Sequence, residues 1–317
     1  MNQNNGHQHT TGHHGHGGGH GHAHGHGDTA TEFDWDAMAP LLEREGELGL
    51  PQYEEAARWI AGLREVPEVR RVLDIGSGPG VITCLLAEVF PEAEVVAVDG
   101  TEALLERARA RAGRLGLGDR VRTLRAELPD DLELLGKADL IWAGNSLHHM
   151  GDQRAVLSGF AESLRPGGTV ALVEGGLPSR QLPRDIGMGR PGLEDRLDAI
   201  RADWFASMRA SLPESKRETE DWRALLTAAG LEPQGTRSFL LDLPAPLSGP
   251  ARDHVIAEFG RRRETFEDVL TAEDAAVLDR LLDPEDPAGL RLRPDVFLLM
   301  ARTVHLGRRG EDRRPGR

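Results

Sequence analysis

The chain has 317 residues, of which 39% are hydrophobic and 28% charged, a composition typical of a soluble protein that can form an apolar core. Its formal net charge is −14, and its lysines and arginines lie among acidic neighbours, so the basic surface that a nucleic-acid-binding protein needs is not expected. Cys84 is the single cysteine, which excludes an intrachain disulfide, and no apolar run approaches the length that spans a membrane. We therefore expect a cytoplasmic protein whose partner is a small molecule.

The N-terminal region changes composition sharply. Residues 1–31 are almost entirely Gly, His, Asn, Gln and Thr, which cannot bury enough apolar surface to fold, so we expect a disordered tail. Its imidazoles could bind a divalent metal weakly, among them His20, His22, His24 and His26. A solvated linker is the simpler interpretation, and we expect no metal in the core of the protein. Two helical patterns, FDWDAMAPLLEREGELGL and YEEAARWIAGL, then predict an N-terminal helical lid over 32–68.

From Arg71 onward, short runs of branched apolar residues alternate with longer helical patterns. This alternation is typical of repeated β-α units around a parallel sheet. The short runs predict five strands, at 71–75, 94–98, 120–124, 138–143 and 168–173. The segments VITCLLAEVF, EALLERARARAGRL and QRAVLSGFAESL predict helices between them. We assign 69–306 to this domain.

After Val173 the alternation breaks. The segment GLPSRQLPRDIGMGRPG predicts a loop and LEDRLDAIRADWFASMRASL a helix, so we expect an insertion at about 178–212 that could cap a substrate. Trp204, Phe205 and Met208 form an apolar stripe on this helix that could line a substrate pocket, but ordinary core packing is the expected interpretation. A second helical insertion, at about 251–283, separates a strand at RSFLLDL from a last strand at DVFLLMARTVHL. Residues 307–317 predict a charged C-terminal tail.

Residues 72–80 read VLDIGSGPG, so three glycines at every second position follow a buried strand and open a helix. Such a turn leaves backbone N–H groups and the helix N-terminus facing a ligand. Asp99 ends the neighbouring strand about twenty residues later, where a carboxylate can accept hydrogen bonds from two ribose hydroxyls. The spacing therefore predicts a nucleotide-like ligand at the carboxyl ends of the strands.

The details of the turn narrow the choice of ligand. Its spacing is GxGxG, and Val81 stands where the dinucleotide fingerprint GxGxxG has its third glycine, which disfavours nicotinamide or flavin binding. Asp74 lies two residues before the first glycine, and its charge suits ammonium and sulfonium groups better than a pyrophosphate. These features favour S-adenosylmethionine.

Four segments, DIGSGPG, AVDG, ADLIWAGNSLHHM and LRPGGTVAL, resemble the successive motifs of class I S-adenosylmethionine-dependent methyltransferases over residues 70–175. The resemblance implies an α/β fold with a Rossmann-like, doubly wound sheet of seven strands, the last one antiparallel. It also implies that Asp74 organises the methionine amino group, that Asp99 holds the ribose, and that an acid meets the adenine amino group. The nearest match for that acid is Glu127, and Asp130 or Asp131 could replace it. The implied cofactor-binding set is Asp74, Gly76, Ser77, Gly78, Gly80, Asp99, Gly100, Glu127 and Asn145.

Candidate catalytic side chains follow the fourth and fifth strands. Methyl transfer from a sulfonium is an in-line displacement, so proximity and orientation can supply most of the catalysis and a base is optional. His148 or His149 could orient or deprotonate the acceptor, with His148 preferred, or the ring could simply pack beneath the site. Glu174 could bind an acceptor amine or hydroxyl, or it could be a solvated loop acid. Asn145 could contact the cofactor or cap its turn.

The sequence thus supports one main hypothesis about function. The protein would transfer a methyl group from S-adenosylmethionine to a small organic acceptor, with oxygen preferred over nitrogen or carbon. The alternative is a non-catalytic metal-handling or regulatory protein that keeps the fold and uses the histidine-rich tail. A nicotinamide oxidoreductase is disfavoured by Val81.

Overall fold

The computed structural model describes residues 35–63 and 68–311, with side chains from residue 38 onward. The helices are α1 Trp35–Ala61, α2 Val81–Val89, α3 Glu102–Arg114, α4 Gln153–Ser163, α5 Leu193–Ser211, α6 Trp222–Ala228, α7 Gly249–Thr265 and α8 Ala272–Leu282, with short 3₁₀ helices at Leu132–Leu135 and Leu147–His149. The strands are β1 Arg71–Ile75, β2 Glu94–Asp99, β3 Val121–Arg125, β4 Ala138–Gly144, β5 Leu164–Arg180, β6 Glu232–Leu243 and β7 Leu298–Arg308. No helix within these described ranges is long and apolar enough to cross a membrane.

The strands form one seven-stranded sheet in the order β3-β2-β1-β4-β5-β7-β6. β1 to β5 run parallel to one another, and β7 runs antiparallel to both β5 and β6. The predicted doubly wound α/β fold with an antiparallel last strand is therefore confirmed. Strand order reverses between β1 and β4, and in such sheets ligands bind in the crevice at the carboxyl ends of the strands at that point.

Two apolar layers cover the two faces of the parallel part of the sheet. Within β1, Val72 packs in one core cluster with Ile60 of α1, whereas Leu73 packs in another with Leu157 and Phe160 of α4. Because both faces are covered, the strand is apolar throughout instead of alternating with polar residues. Full burial of each large aliphatic side chain contributes about 1.5–3 kcal/mol to folding.

The N-terminal region forms one helix, where the sequence predicts two. α1 continues through Pro40 and Pro51, although a proline inside a helix removes a hydrogen bond and costs about 3 kcal/mol. Packing offsets this cost, since Ala56 is buried in the core. A Cβ atom at Gly46 would lie 3.0 Å from Cβ of Val81, so α1 passes close to the start of α2, beside the glycine turn.

β5 is longer than the sequence predicts at both ends. After a bulge at residues 174–175 it pairs again with β7, through Gly176 with Arg302 and Leu177 with Ala301, and after a second irregularity through Arg180 with Leu299. The glycines and the proline in this segment favour a loop, but the segment lies in a strand that its antiparallel partner β7 stabilises. A β-bulge accommodates the extra residue in such a pair. β7 likewise continues two residues beyond the expected domain end at 306.

The two helical insertions pack together around the extended ends of β5, β6 and β7. Their shared core contains Leu197 of α5, Val255 of α7, Leu278 of α8 and Leu298 of β7. The antiparallel pairing carries this core to the carboxyl end of β5. The insertions therefore lie at the same edge of the sheet as the glycine turn.

Candidate active site

The glycines of the turn after β1 serve two different purposes. Gly76 and Gly80 have φ angles of +66° and +78°. A Cβ atom would lie 2.7 Å from Cβ of Ser146 at the first and 2.5 Å from Cβ of Ala108 at the second, so both positions require close approach. Gly78 is also left-handed, with φ +53°, but a Cβ atom there would meet no described atom within 4 Å. The turn is thus closed by the outer glycines and open to a ligand at the middle one.

Asp74 is a buried acid directly beneath this turn. It is 3% exposed and accepts one short hydrogen bond, 2.6 Å from Thr83 Oγ1. Burial raises its pKa to about 7, the Thr83 hydrogen bond lowers it in part, and the nearby charge of Asp99 raises it further. A cation bound beside Asp74 would favour the ionised carboxylate, which is the expected role of the acid next to a ligand ammonium group.

Asp99 joins the glycine turn to the loop after β2. Its two carboxylate oxygens accept hydrogen bonds from the backbone N–H groups of Gly78 and Thr101, each at 2.9 Å. Burial raises its pKa, and these backbone hydrogen bonds partly oppose that shift. Each oxygen still has a second acceptor position, so the carboxylate can also bind two hydroxyl groups.

The acid proposed to meet adenine lies next to this carboxylate. A Cβ atom at Gly100 would lie 2.6 Å from Oε2 of Glu127, so Gly100 leaves the room that the Glu127 carboxylate occupies. The alternative acid Asp131 is engaged elsewhere, because its Oδ2 accepts the backbone N–H of Glu127 at 2.8 Å. Of these two acids, Glu127 is the one that reaches the Asp99 turn.

The loop after β4 connects the glycine turn to β5 and to α1. Ser146 packs against Gly76, and its Oγ, like that of Ser77, is buried without a hydrogen-bond partner among the described residues. Asn145 has a left-handed φ of +49°, and its backbone N–H donates to Val173 O at 3.0 Å. The Asn145 side chain donates to the hydroxyl of Tyr53 at 3.2 Å, a contact that the sequence does not predict.

His148 and Glu174, which the sequence analysis proposes as separate candidates, form one pair. His148 Nδ1 lies 3.0 Å from Glu174 Oε2 and 3.3 Å from Oε1. The Glu174 carboxylate is 4% exposed, and its Oε1 also accepts the backbone N–H of Leu147 at 3.0 Å. Glu174 is therefore a buried partner of His148 and not a solvated loop acid. With Nδ1 facing the carboxylate, Nε2 of His148 is on the opposite side of the ring.

His149 differs from His148 in its surroundings. It is exposed in surface area, yet neighbouring protein atoms desolvate its ring and lower its pKa to about 4, assisted by the nearby charges of His148 and Arg209. The rings of His148 and His149 are only 4.3 Å apart, so each ring partly shields the other from water. A group with this pKa is neutral and weakly basic near neutral pH, which makes it a poorer proton acceptor.

The cap helix α5 contributes two residues that the sequence analysis does not place in the site. The Phe205 ring lies 5.5 Å from the His148 ring, and Arg209 donates to the carbonyls of His148 and Met150 at 2.8 and 2.6 Å. The expected core packing of the Trp204 stripe is wrong for that residue, which is 37% exposed. The apolar stripe in the sequence could have indicated this role, because an apolar surface on a helix that covers a site can line the pocket as well as pack in the core.

These residues fit S-adenosylmethionine. The three acids at the ends of β1, β2 and β3 provide acceptors for hydroxyl and amino groups and counter-charges for cationic ones, while the unpartnered Ser77 hydroxyl adds a donor and the middle glycine leaves room. The histidine-rich tail, including His20, His22, His24 and His26, lies outside the described residues. Within residues 35–63 and 68–311, no group of three or more His, Cys, Asp or Glu side chains could hold a metal ion.

Comparison with known proteins gives a consistent result. A family model described as a methyltransferase domain matches residues 73–170. A trans-aconitate 2-methyltransferase from Methylobacterium nodulans is 34% identical over 203 residues, covering 62% of this chain and 69% of that protein. A trans-aconitate 2-methyltransferase from Streptomyces coelicolor is 31% identical, covering 63% and 62%. A 27-O-demethylrifamycin SV methyltransferase from Amycolatopsis mediterranei is 36% identical over 116 residues, covering 36% and 41%.

The fold and the acids around the glycine turn are those of a domain that binds S-adenosylmethionine. With the matches above, the chain belongs to the class I S-adenosylmethionine-dependent methyltransferases. The chain spans less than two thirds of the length of several curated relatives, 62% of the Streptomyces coelicolor protein and 38% of a Synechococcus protein.

Proposed function

We propose that this protein transfers a methyl group from S-adenosylmethionine to an oxygen atom of a small organic acceptor, with His148 as the proton acceptor. The observation that carries the proposal is the contact between His148 and the buried Glu174 carboxylate. This pair lies at the carboxyl ends of β4 and β5, beside the strands that carry the cofactor-binding residues.

The cofactor would be held by residues at three strand ends. Asp74 would face the methionine amino group, Asp99 the ribose hydroxyls and Glu127 the adenine amino group, while the backbone of Gly78 lies against the ligand. When bound, S-adenosylmethionine supplies an electrophilic methyl group. The open position at Gly78 supports this arrangement, because a side chain there would enter the space that the ligand needs.

His148 would remove the proton of an acceptor hydroxyl. Glu174 accepts the N–H at Nδ1, which leaves the lone pair of Nε2 for the hydroxyl and stabilises the imidazolium that forms. A positioned general base of this kind accelerates a reaction by about 10²–10⁴-fold. Orientation of the acceptor beside the methyl donor would supply the remainder.

An oxygen acceptor is favoured over nitrogen or carbon by this pair and by the relatives. A neutral hydroxyl is a poor nucleophile until its proton is removed, so a histidine held by a buried carboxylate is most useful for that acceptor. One relative is named for the 27-O position of a demethylated rifamycin, and two are named for trans-aconitate. These names support a small organic acceptor.

Labelled methyl transfer is the direct test of the proposal. The full chain is incubated with S-adenosylmethionine carrying an isotopic methyl label and with fractionated metabolite extracts, and the labelled products are identified by mass spectrometry. We expect a labelled methyl ether, because the proposed base removes the proton of a hydroxyl. A labelled methyl ester would keep oxygen as the acceptor atom but would count against proton removal by His148, since a carboxylate has no proton to lose near neutral pH. A labelled N-methyl or C-methyl product would contradict the oxygen assignment, and the absence of any labelled small molecule would contradict the proposed activity.

A further inference from the structure

A cluster of hydrogen-bond donors lies between α1 and the strand ends, beside the proposed active site. We call it the donor cluster; its members are Tyr53 of α1, Asn145 after β4 and Arg302 of β7. Asn145 donates to the Tyr53 hydroxyl at 3.2 Å, and the Arg302 guanidinium lies near that hydroxyl. None of the cofactor or proton-transfer roles proposed above uses Tyr53 or Arg302.

The hydrogen-bond count shows what the cluster can still bind. The Tyr53 hydroxyl accepts the hydrogen bond from the Asn145 amide, which does not use its own O–H, so that O–H is left to donate. Arg302 Nη2 donates to Glu45 Oε1 at 3.2 Å, while Arg302 Nε is buried without a partner in the part of the chain that the structure describes. The unused capacity at Tyr53 and Arg302 therefore consists of donors.

The donor cluster lies near the pair formed by His148 and Glu174. Arg302 is paired across the sheet with Gly176, two residues after Glu174. A Cβ atom at the intervening Gly175 would meet no described atom within 4 Å, so there is space beside this bulge. Tyr53 approaches these strand ends from α1, and Phe205 approaches His148 from α5. A ligand over the ends of β4 and β5 would have the donor cluster on one side and His148 on the other.

The charge of the cluster favours an anionic ligand group. Arg302 always carries a positive charge, and a guanidinium forms its strongest hydrogen bonds with carboxylates. Its counter-ion Glu45 is 38% exposed, so solvent screens that ion pair. Glu258 on α7 also faces Arg302 electrostatically, but its carboxylate is held by Gln181 and Arg262. The two remaining donors, the Tyr53 O–H and the Arg302 Nε–H, have no acidic side chain as an acceptor among the described residues.

We propose that Tyr53, Asn145 and Arg302 form the acceptor subsite of this enzyme and that they bind a carboxylate of the acceptor, which is therefore an organic acid. The assignment rests on the proposed function for the identity of the ligand as the methyl acceptor. Arg302 supplies the charge and Tyr53 an O–H donor. Asn145 fixes the Tyr53 hydroxyl and links the subsite to the loop that carries His148.

Binding measurements on the full chain test this subsite without turnover. Calorimetry in the presence of S-adenosylhomocysteine uses citrate and 4-hydroxybenzoate as probes, each compared with its methyl ester. We expect at least one acid to bind about 30-fold or more tightly than its ester, because the ester lacks the charge that pairs with the guanidinium. Arg302→Met should remove this preference, Arg302→Lys should retain part of it, and Tyr53→Phe should weaken it by about 3–10-fold.

A matched variant separates ligand binding from the anchoring of α1. Arg237 on the neighbouring strand β6 also binds α1, through Glu55 at 2.7 Å, but it lies outside the donor cluster. Arg237→Met should leave acid binding unchanged, and the melting temperature and S-adenosylhomocysteine affinity of each variant report on folding. Failure of both acids to bind, equal binding of acid and ester for both probes, or unchanged acid binding in Arg302→Met would overturn the proposal. If the unmodified chain does not bind S-adenosylhomocysteine, the result counts against the proposed function and not against the subsite alone.

Discussion

The two halves of the sheet reach the same crevice by different kinds of interaction. In the half that carries the glycine turn, the turn and Asp99 lie at the ends of adjacent strands and are joined by a hydrogen bond from the backbone N–H of Gly78 to the Asp99 carboxylate. In the half that carries the insertions, the contacts of Tyr53 and Arg302 join segments far apart in the chain, α1 with the loop after β4 and with β7. The comparison suggests that the first half determines donor binding and the second half determines which acceptor reacts. The predictions below test this division.

The largest effect is expected from His148. His148→Asn should lower kcat by about 10²–10⁴-fold and remove the pH dependence that the imidazole confers, because a general base is lost. Glu174→Gln should lower kcat less, since the ring remains but loses the carboxylate that orients it. Steady-state kinetics across pH, with the labelled acceptor found by extract screening, measures both effects.

Calorimetry provides the control for that result. The affinity of His148→Asn for S-adenosylhomocysteine should match that of the unmodified chain, because His148 belongs to the acceptor half. An unchanged maximal rate in this variant would count against proton abstraction, and a large loss of cofactor affinity would count against the division into two halves.

The next effect separates two glycines in the same turn. Gly80→Ala should lower the free energy of unfolding by about 2–5 kcal/mol, because it combines left-handed strain with a clash against Ala108. Gly78→Ala should cost only the strain, about 1–2 kcal/mol, because space surrounds that position. Chemical denaturation measures these two values.

For cofactor affinity we expect the opposite order, with a larger loss in Gly78→Ala than in Gly80→Ala. At a temperature where both remain folded, Gly78→Ala should lose about tenfold or more in S-adenosylhomocysteine affinity, because its methyl group enters the ligand space. Equal stability losses at Gly78 and Gly80, or full cofactor affinity in Gly78→Ala, would show that the middle glycine does not face the ligand.

Ionisation of Asp74 should change the affinity for S-adenosylmethionine by about tenfold per pH unit below the pKa of this carboxyl. Its pKa is raised to about 7 by burial, and the ionised form suits a cationic ligand, so S-adenosylmethionine affinity should rise with pH up to about 7 and then level off. The sign for stability is opposite: the folded protein holds a proton that the unfolded chain releases, so the contribution of Asp74 falls as pH rises from about 4 to about 7.

Asp74→Asn is the variant that separates these two consequences. It should weaken cofactor binding at every pH and abolish most of the pH dependence, while raising the melting temperature at about pH 8 relative to the unmodified chain. Calorimetry and thermal unfolding over about pH 5.5 to 8 measure both. A pH-independent affinity in the unmodified chain would contradict the role given to Asp74.

The smallest effect is expected from the histidine-rich tail. Deletion of residues 1–27 should leave kcat and KM unchanged, because the proposed site is built from residues far from the tail in sequence. Turnover assays with and without added Zn²⁺ would test this expectation. The metal-handling alternative would be favoured if the deletion greatly lowered activity and if added Zn²⁺ stimulated the full chain but not the shortened one.

Local patterns predict the first half of the molecule well. β1 begins and ends at the predicted residues, and the spacing of Gly76, Gly78 and Gly80 identifies the turn, because strand and turn are specified by neighbouring residues. The choice among the acids after β3 needed the structure, since only three-dimensional contacts place Glu127 beside Gly100 and engage Asp131 in the loop.

The second half depends on pairings that a sequence pattern does not contain. The residues after Val173 have the glycines and proline of a loop, yet β7 holds them in a strand, because a partner strand can stabilise a segment with weak local preference. The approach of Tyr53 to Arg302 follows from that long-range arrangement, whereas His148 and Glu174 meet because they lie at the ends of adjacent parallel strands. Neither residue type nor spacing reports such a contact.

The division between the two halves is tested most directly by a crystal structure of the full chain with S-adenosylhomocysteine. The account predicts that the ribose hydroxyls bind Asp99, that adenine lies beside Glu127 and that the amino group lies near Asp74, with the sulfur facing the loop that carries His148. A ligand bound elsewhere, or with its adenine and sulfur ends reversed in this crevice, would contradict it.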